Sequence, residues 1–291
     1  MKWDNVHIFI LSIFMICTKI TCASYPVLFI HGIGDACHFS NVTAQVDFIK
    51  SKLGVEVKCI EIGNGFVSSW FMQFSRQAEE VCEKVKNDQL FQGKFSIFAV
   101  SQGTLLARFI IQKCDIKGEV VNYVSFNGPQ MGIGSLPKIT CPVICPIINR
   151  LVGSIIYKEY FQKNLGPAGY YKDKYNYQEY LEYSSFLADL NNEKENKTSS
   201  YKERFTKLNK VLLIKNLNDT VITPRESSFF EFFDLKGEDI VPLFNSTFYT
   251  EDWLGLRELN ENNKLSFLEL EGEHVIVSFE DIEKHIIPFL K

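Results

Sequence analysis

Apolar residues in this 291-residue chain follow two spacings. Short unbroken runs such as "YPVLFIHG" (25–32) and "FSIFAV" (95–100) have the length of strands buried on both faces. Between them, apolar positions recur every three or four residues, as on one side of a helix. In order, the pattern predicts strand 25–32, helix 41–53 and strand 55–63. A long helix follows over about 68–90, with Phe71, Phe74, Ala78, Val81, Cys82 and Val85 on one face. Next come strand 95–100, helix 102–114 and strand 121–128. The rhythm lapses over 129–200 and resumes with strand 210–216, a Phe-rich segment at 229–233, strand 264–270 and a final helix over 278–290. Strands alternating with helices predict an α/β fold, a mostly parallel sheet flanked by helices. Residues 24–291 are expected to form one domain, with 129–200 as an inserted cap ending in a polar surface loop, "NNEKENKTSS" (191–200).

Composition narrows this picture. Hydrophobic residues make up 46% of the chain, enough for one large core. A net charge of −4, with both signs interspersed, offers no basic stripe and sets nucleic acid aside as a partner. The N-terminus places Lys2 before an apolar run and the small-residue site Thr21-Cys22-Ala23, which predicts a secretory signal over 1–23. A membrane anchor is the rival reading, but a span needs roughly 20 apolar residues and Lys19 interrupts this run. No later stretch approaches spanning length, so no transmembrane segment is expected after the signal. Export makes the sequons at Asn41, Asn196, Asn218 and Asn245 candidate glycosylation sites. Six cysteines remain after residue 23, an even number suited to disulfides. Zinc is a weak rival, since no CxxC pair exists.

The chemistry begins at "AVSQG" (99–103). A buried strand running into a serine and an amphipathic helix leaving it is the context of a nucleophile elbow, Gly-x-Ser-x-Gly, with Ala99 in place of the first glycine. Ser101 could equally cap the following helix in an ordinary turn. In an α/β-hydrolase the order is serine, acid, histidine. His274, in "EGEHV" past strand 264–270, and Asp219, in the turn after 210–216, satisfy it. A surface histidine and a turn-forming aspartate are the plain alternatives, and His285 reads as a helix-face residue. Three residues at the right strand ends in the right order favour the chemical reading. An oxyanion hole would take the backbone N–H of Gln102 and that of Ile33, in "HGIGD" (31–35), with Gly32 and Gly34 letting the loop turn. A phosphate cradle is disfavoured because GxGxxG is absent.

The motifs "HGIGDAC", "EIG", "SQG", "LNDTVITPRES", "FYTEDWLGLRELN", "EGEHV" and "HIIPFL" together resemble the palmitoyl-protein thioesterase family across about 25–291. That resemblance implies a lysosomal α/β-hydrolase that removes long fatty acyl groups from cysteine in proteins. Its expected partners are S-acylated proteins or peptides and the acyl chain. It implies Ser101, Asp219 and His274 as triad, Ile33 and Gln102 as hole, and no metal or cofactor. It also implies disulfides Cys82–Cys114 and Cys141–Cys145. Ala99 departs from the family's glycine, "NGPQMGI" (127–133) from its Gly/Gln/His-rich version, and Cys37 lacks its cysteine neighbour. The partners of Cys37 and Cys59 stay open, pairing with each other being one possibility. A secreted lipase or carboxylesterase acting on oxygen esters is the alternative enzyme, since fold and triad do not choose between sulfur and oxygen. A degenerate hydrolase used for binding is the non-enzymatic one.

Overall fold

The computed structural model describes residues 25–135 and 145–291, and the side chains from 151 onward in the second part. The expected signal segment 1–23 and Cys141 lie outside the described residues, as does the side chain of Cys145. The strands are β1 (Val27–Ile30), β2 (Val57–Cys59), β3 (Lys94–Val100), β4 (Glu119–Phe126), β5 (Lys210–Asn216), β6 (Phe232–Phe233), β7 (Ile240–Val241) and β8 (Leu265–Leu270). Six of them form one sheet in the order β2-β1-β3-β4-β5-β8, all pairs parallel. β6 and β7 pair separately as a short antiparallel ribbon.

Side-chain alternation sorts the core onto the two faces of the sheet. Val27, Phe29, Phe98 and Val100 pack on one face with Val42 and Ile49 of helix α1 (Ser40–Leu53) and Ile282, Ile286 and Leu290 of the C-terminal helical segment. Leu28, Ile30, Ile97 and Ala99 face the other way. They meet α3 (Phe74–Asn87) and α4 (Gly103–Gln112), together with Tyr170, Tyr180, Leu187 and Phe205 from the region between β4 and β5. Both faces are covered, which is why the strands read as continuous apolar runs rather than alternating ones.

Two expectations need correction. The long helix over 68–90 is two helices, α2 (Phe66–Phe71) and α3, separated by Met72 and Gln73 in extended conformation. The Gln77 side chain donates to the carbonyls of Ser69 (3.3 Å) and Met72 (2.8 Å), satisfying groups the break frees. Phe71 is consequently exposed, while Phe74, Ala78, Val81, Cys82 and Val85 are buried. The polar run 191–200 is also not all surface, because Asn191, Asn192 and Glu193 are buried. Glu193 accepts from Lys172 Nζ at 2.5 Å and from the Tyr180 hydroxyl, so its charge is paired inside the protein. Burial, then the Glu193 charge, holds the Tyr180 hydroxyl protonated as a donor.

Candidate active site

Ser101 stands between β3 and α4 at the centre of the sheet with φ of 50°, the left-handed region that serine rarely enters. Close approach on both sides imposes this turn. A methyl group on Gly103 would lie 2.5 Å from the His31 carbonyl oxygen and 2.6 Å from that of Ile30, so only glycine lets α4 start against the end of β1. A methyl on Gly32 would come within 3.1 Å of Ser101 Cβ, which puts the "HGIGD" loop directly against the serine. The Ser101 N–H donates to the Phe126 carbonyl at 2.8 Å, and its carbonyl accepts from the Thr104 hydroxyl at 2.7 Å.

The serine does not cap the helix, whose N-terminal flanking residue is Gln102 without a side-chain cap. Its Oγ instead donates to His274 Nε2 at 2.9 Å, and His274 Nδ1–H donates to Asp219 Oδ2 at 2.7 Å. Asp219 Oδ1 accepts from the N–H groups of Val221 (2.8 Å) and Ile222 (3.0 Å), which fixes the carboxylate from behind. Ser101 and Asp219 are buried, whereas the His274 side chain keeps 12% of its surface exposed. Thus Ser101, His274 and Asp219, predicted from strand ends, meet in one hydrogen-bonded chain. His285 lies away in the C-terminal helical segment, as its helix-face reading requires.

The N–H groups of Ile33 and Gln102 have no acceptor among the described residues. The Gln102 side chain is fully buried. Its amide donates to the Ser69 carbonyl (3.2 Å) and Gln77 Oε1 (3.1 Å), and its Oε1 accepts from the Tyr170 hydroxyl at 3.0 Å. Burial raises the Tyr170 pKa, keeping that hydroxyl a donor. The loop carrying Ile33 rests on a pair that sequence reasoning missed. His31 Nε2 donates to Glu61 Oε1 at 2.7 Å, and Glu61 Oε2 accepts the Cys37 N–H at 2.8 Å. The only hint was Glu61 in "EIG". Cys37 is disulfide-bonded to Cys59, tying this loop to the end of β2, and Cys82–Cys114 ties α3 to the end of α4. His31, Cys37 and Glu61 are the one metal-like cluster among the described residues, but the Cys37 sulfur is committed to the disulfide.

Arg108 braces the far side of the elbow. It is fully buried in α4, donating from Nη1 to the Gln130 carbonyl (3.0 Å), from Nη2 to that of Leu190 (3.2 Å) and from Nε to Gln112 (3.0 Å). Burial lowers its pKa to about 10, leaving it charged at neutral pH. A cavity of about 300 Å³ adjoins Asp219 and Ile222 and reaches Phe233; a second, of about 420 Å³ and mainly apolar, also touches Phe233 and extends to Phe232 and Phe248. In the Phe-rich segment and the cap, Phe229, Phe230, Phe232 and Ile156 are core, while Leu151 and Ile155 are exposed.

The palmitoyl protein thioesterase family model matches residues 26–274. The chain belongs to that family. Palmitoyl-protein thioesterase 3 of Dictyostelium discoideum is 39% identical over 247 residues, covering 84% of this chain and 83% of its own. Palmitoyl-protein thioesterase 1 of Caenorhabditis elegans is 30% identical over 258 residues, 86% of each chain. Lysosomal thioesterase PPT2-B of Xenopus laevis is 27% identical over 264 residues, 89% of each. Among solved structures, a putative hydrolase from Agrobacterium vitis S4 aligns over 92% of this chain with a TM-score of 0.49 and 11% identity. This palmitoyl protein thioesterase family member has the α/β-hydrolase fold, with a parallel sheet covered on both faces and a sharp strand-to-helix turn at its centre. No helix among the described residues is long and apolar enough to cross a membrane.

Proposed function

We propose that this chain hydrolyses long-chain fatty acyl thioesters on protein cysteines, with Ser101 as nucleophile, His274 as general base and Asp219 as its orienting acid. The observation that carries the reading is the unbroken Ser101–His274–Asp219 hydrogen-bonded chain in a palmitoyl protein thioesterase family member. His274 Nε2 takes the Ser101 proton as Oγ attacks the thioester carbon, and Asp219 holds Nδ1–H and steadies the imidazolium. The tetrahedral anion forms against the N–H groups of Ile33 and Gln102, both without another acceptor among the described residues. Collapse expels the cysteine thiolate, a good leaving group with a thiol pKa of about 8.5, which recovers the proton from His274. Water then attacks the acyl-serine, giving its proton to His274, and the fatty acid departs as Ser101 is reprotonated. The acyl chain is assigned to the mainly apolar cavity lined by Phe232, Phe233 and Phe248, which shares Phe233 with the more polar cavity beside Asp219.

The same proposal places the chain in the secretory pathway and the lysosome, as one hydrolase domain with 129–200 as cap. Support comes from relatives named lysosomal thioesterases, two disulfides, and exposed Asn41, Asn196, Asn218 and Asn245 available for glycans. The test is a panel of palmitoyl thioester, matched oxygen ester and short acyl thioester, assayed on wild type and Ser101→Ala. Palmitoyl thioester hydrolysis is expected from wild type and none from the variant. Equal rates for the two proteins would overturn the mechanism; a strong oxygen-ester preference would overturn the substrate.

A further inference from the structure

The loop that carries His274 is only shallowly packed, with Val275 and Val277 partly buried against the core. None of residues 271–278 is buried, and Ile276 is 61% exposed. Yet His274 must stay within hydrogen-bond reach of Ser101, and a displacement of about 1 Å can cost on the order of 100-fold in rate. Such shallow contacts leave the fine placement of the ring to polar ties. Asn216, the last residue of β5, is fully buried and spends both hydrogens of Nδ2 on this loop. It donates to the carbonyl of Glu273 at 2.6 Å and to that of Ile276 at 3.0 Å, the residues that bracket His274 and Val275. Val275 takes φ of 54°, so the loop reverses sharply within that bracket. The backbone adds a neighbouring tie, from the Asn218 N–H to the Gly272 carbonyl at 3.0 Å.

Asn216 is itself anchored. Its backbone N–H donates to Asn127 Oδ1 at 2.7 Å, and the Asn127 N–H donates to the Ile214 carbonyl at 2.9 Å. Asn127 immediately follows Phe126, whose carbonyl accepts the Ser101 N–H. It is fully buried with φ of 46°, a left-handed conformation that asparagine tolerates better than most residues. A second route therefore runs from Ser101 to the His274 loop behind the Oγ···Nε2 bond, through Phe126, Asn127 and Asn216. We infer that Asn216, oriented by Asn127, is the positioning residue for His274, setting the distance between base and nucleophile. This rests on the proposed roles of Ser101 and His274.

The experiment uses the mature chain and an alkyl fluorophosphonate, which labels an activated serine whatever the natural substrate. Asn216→Ala is expected to slow both labelling and kcat by about 10- to 100-fold while KM stays within about twofold, since the lost contact acts on the chemical step. Placed in a His274→Ala background, it should lower the residual labelling rate no further. Wild-type labelling by Asn216→Ala, or an equal loss in both backgrounds, overturns the inference. If Asn216→Ala does not fold, Asn127→Gly serves, because it keeps the left-handed turn and removes only the acceptor on Asn216 N–H. A several-fold slowing confined to the His274 background supports the route, and an unchanged rate overturns it. Wild type that labels normally but spares palmitoyl thioesters would sink the substrate proposal and leave this one standing.

Discussion

Ser101 and His274 lie within one hydrogen bond of each other, but their supports differ in kind. The serine sits at the centre of the sheet, where β1, β3, β4 and α4 crowd it, Gly103 marks a contact too close for any side chain and Gly32 a tight one. Its position follows from packing. The histidine hangs from β8 at the sheet's edge on a loop without a buried residue, and its position follows from hydrogen bonds to Asn216 and Asp219. Packing is stiff and fails through volume changes; a polar bracket fails through loss of a donor. The two halves should therefore respond oppositely to the same kind of substitution.

The sharpest separation comes from His274→Ala. On the polar side activity should fall at least about 1,000-fold, while the melting transition barely moves because the ring is partly exposed. A large loss of stability would show that packing, rather than the polar bracket, holds the loop. Arg108→Ala reverses the pattern. It empties a fully buried site and strands the Gln130 carbonyl and Gln112 Oε1, so denaturant unfolding should show a loss of about 3 kcal/mol or more. Retained stability would mean that α4 is not braced there. Gly103→Ala forces β1 and α4 apart beside Ser101, with an expected cost of about 1–3 kcal/mol and a parallel fall in fluorophosphonate labelling. If labelling survives unchanged, the tight crossing does not position the serine. At the small end, Asn218→Gln removes a sequon from an exposed side chain beside Asp219. It should leave stability within about 0.5 kcal/mol and kcat within twofold, with a mass loss of one glycan on gels. A marked kinetic change would show that residue 218 takes part in the acid's support.

What the chain's residues reveal divides along the same line. The strands and the three meeting residues were legible because mainly apolar runs end near Ser101, Asn216 and Leu270, and polar chemistry follows each end. Periodicity cannot register a break that keeps the apolar spacing. Phe71 and Phe74 suit one helix face, and only the reach of Gln77 back to Ser69 and Met72 makes the interruption stable. Buried polar partnerships were equally silent. Glu193 sits in a run that looks solvated until Lys172 and Tyr180 arrive from elsewhere in the chain. Asn127 before Gly128 reads as a turn, and Asn216 as the polar end of a strand; their contact joins positions 89 apart in sequence. Such pairs are written in the fold, and a residue's type does not announce its distant partner.

The left-handed backbone at Ser101 carries a consequence for evolution and engineering. An L-residue there costs about 1 kcal/mol or more that glycine would not incur. Ser101→Gly should therefore melt above Ser101→Ala and above the wild type while being inert toward acyl substrates. Selection for thermal robustness alone would drift toward that dead variant, so a stabilised form of this protein has to be sought with an activity screen running beside the heat step.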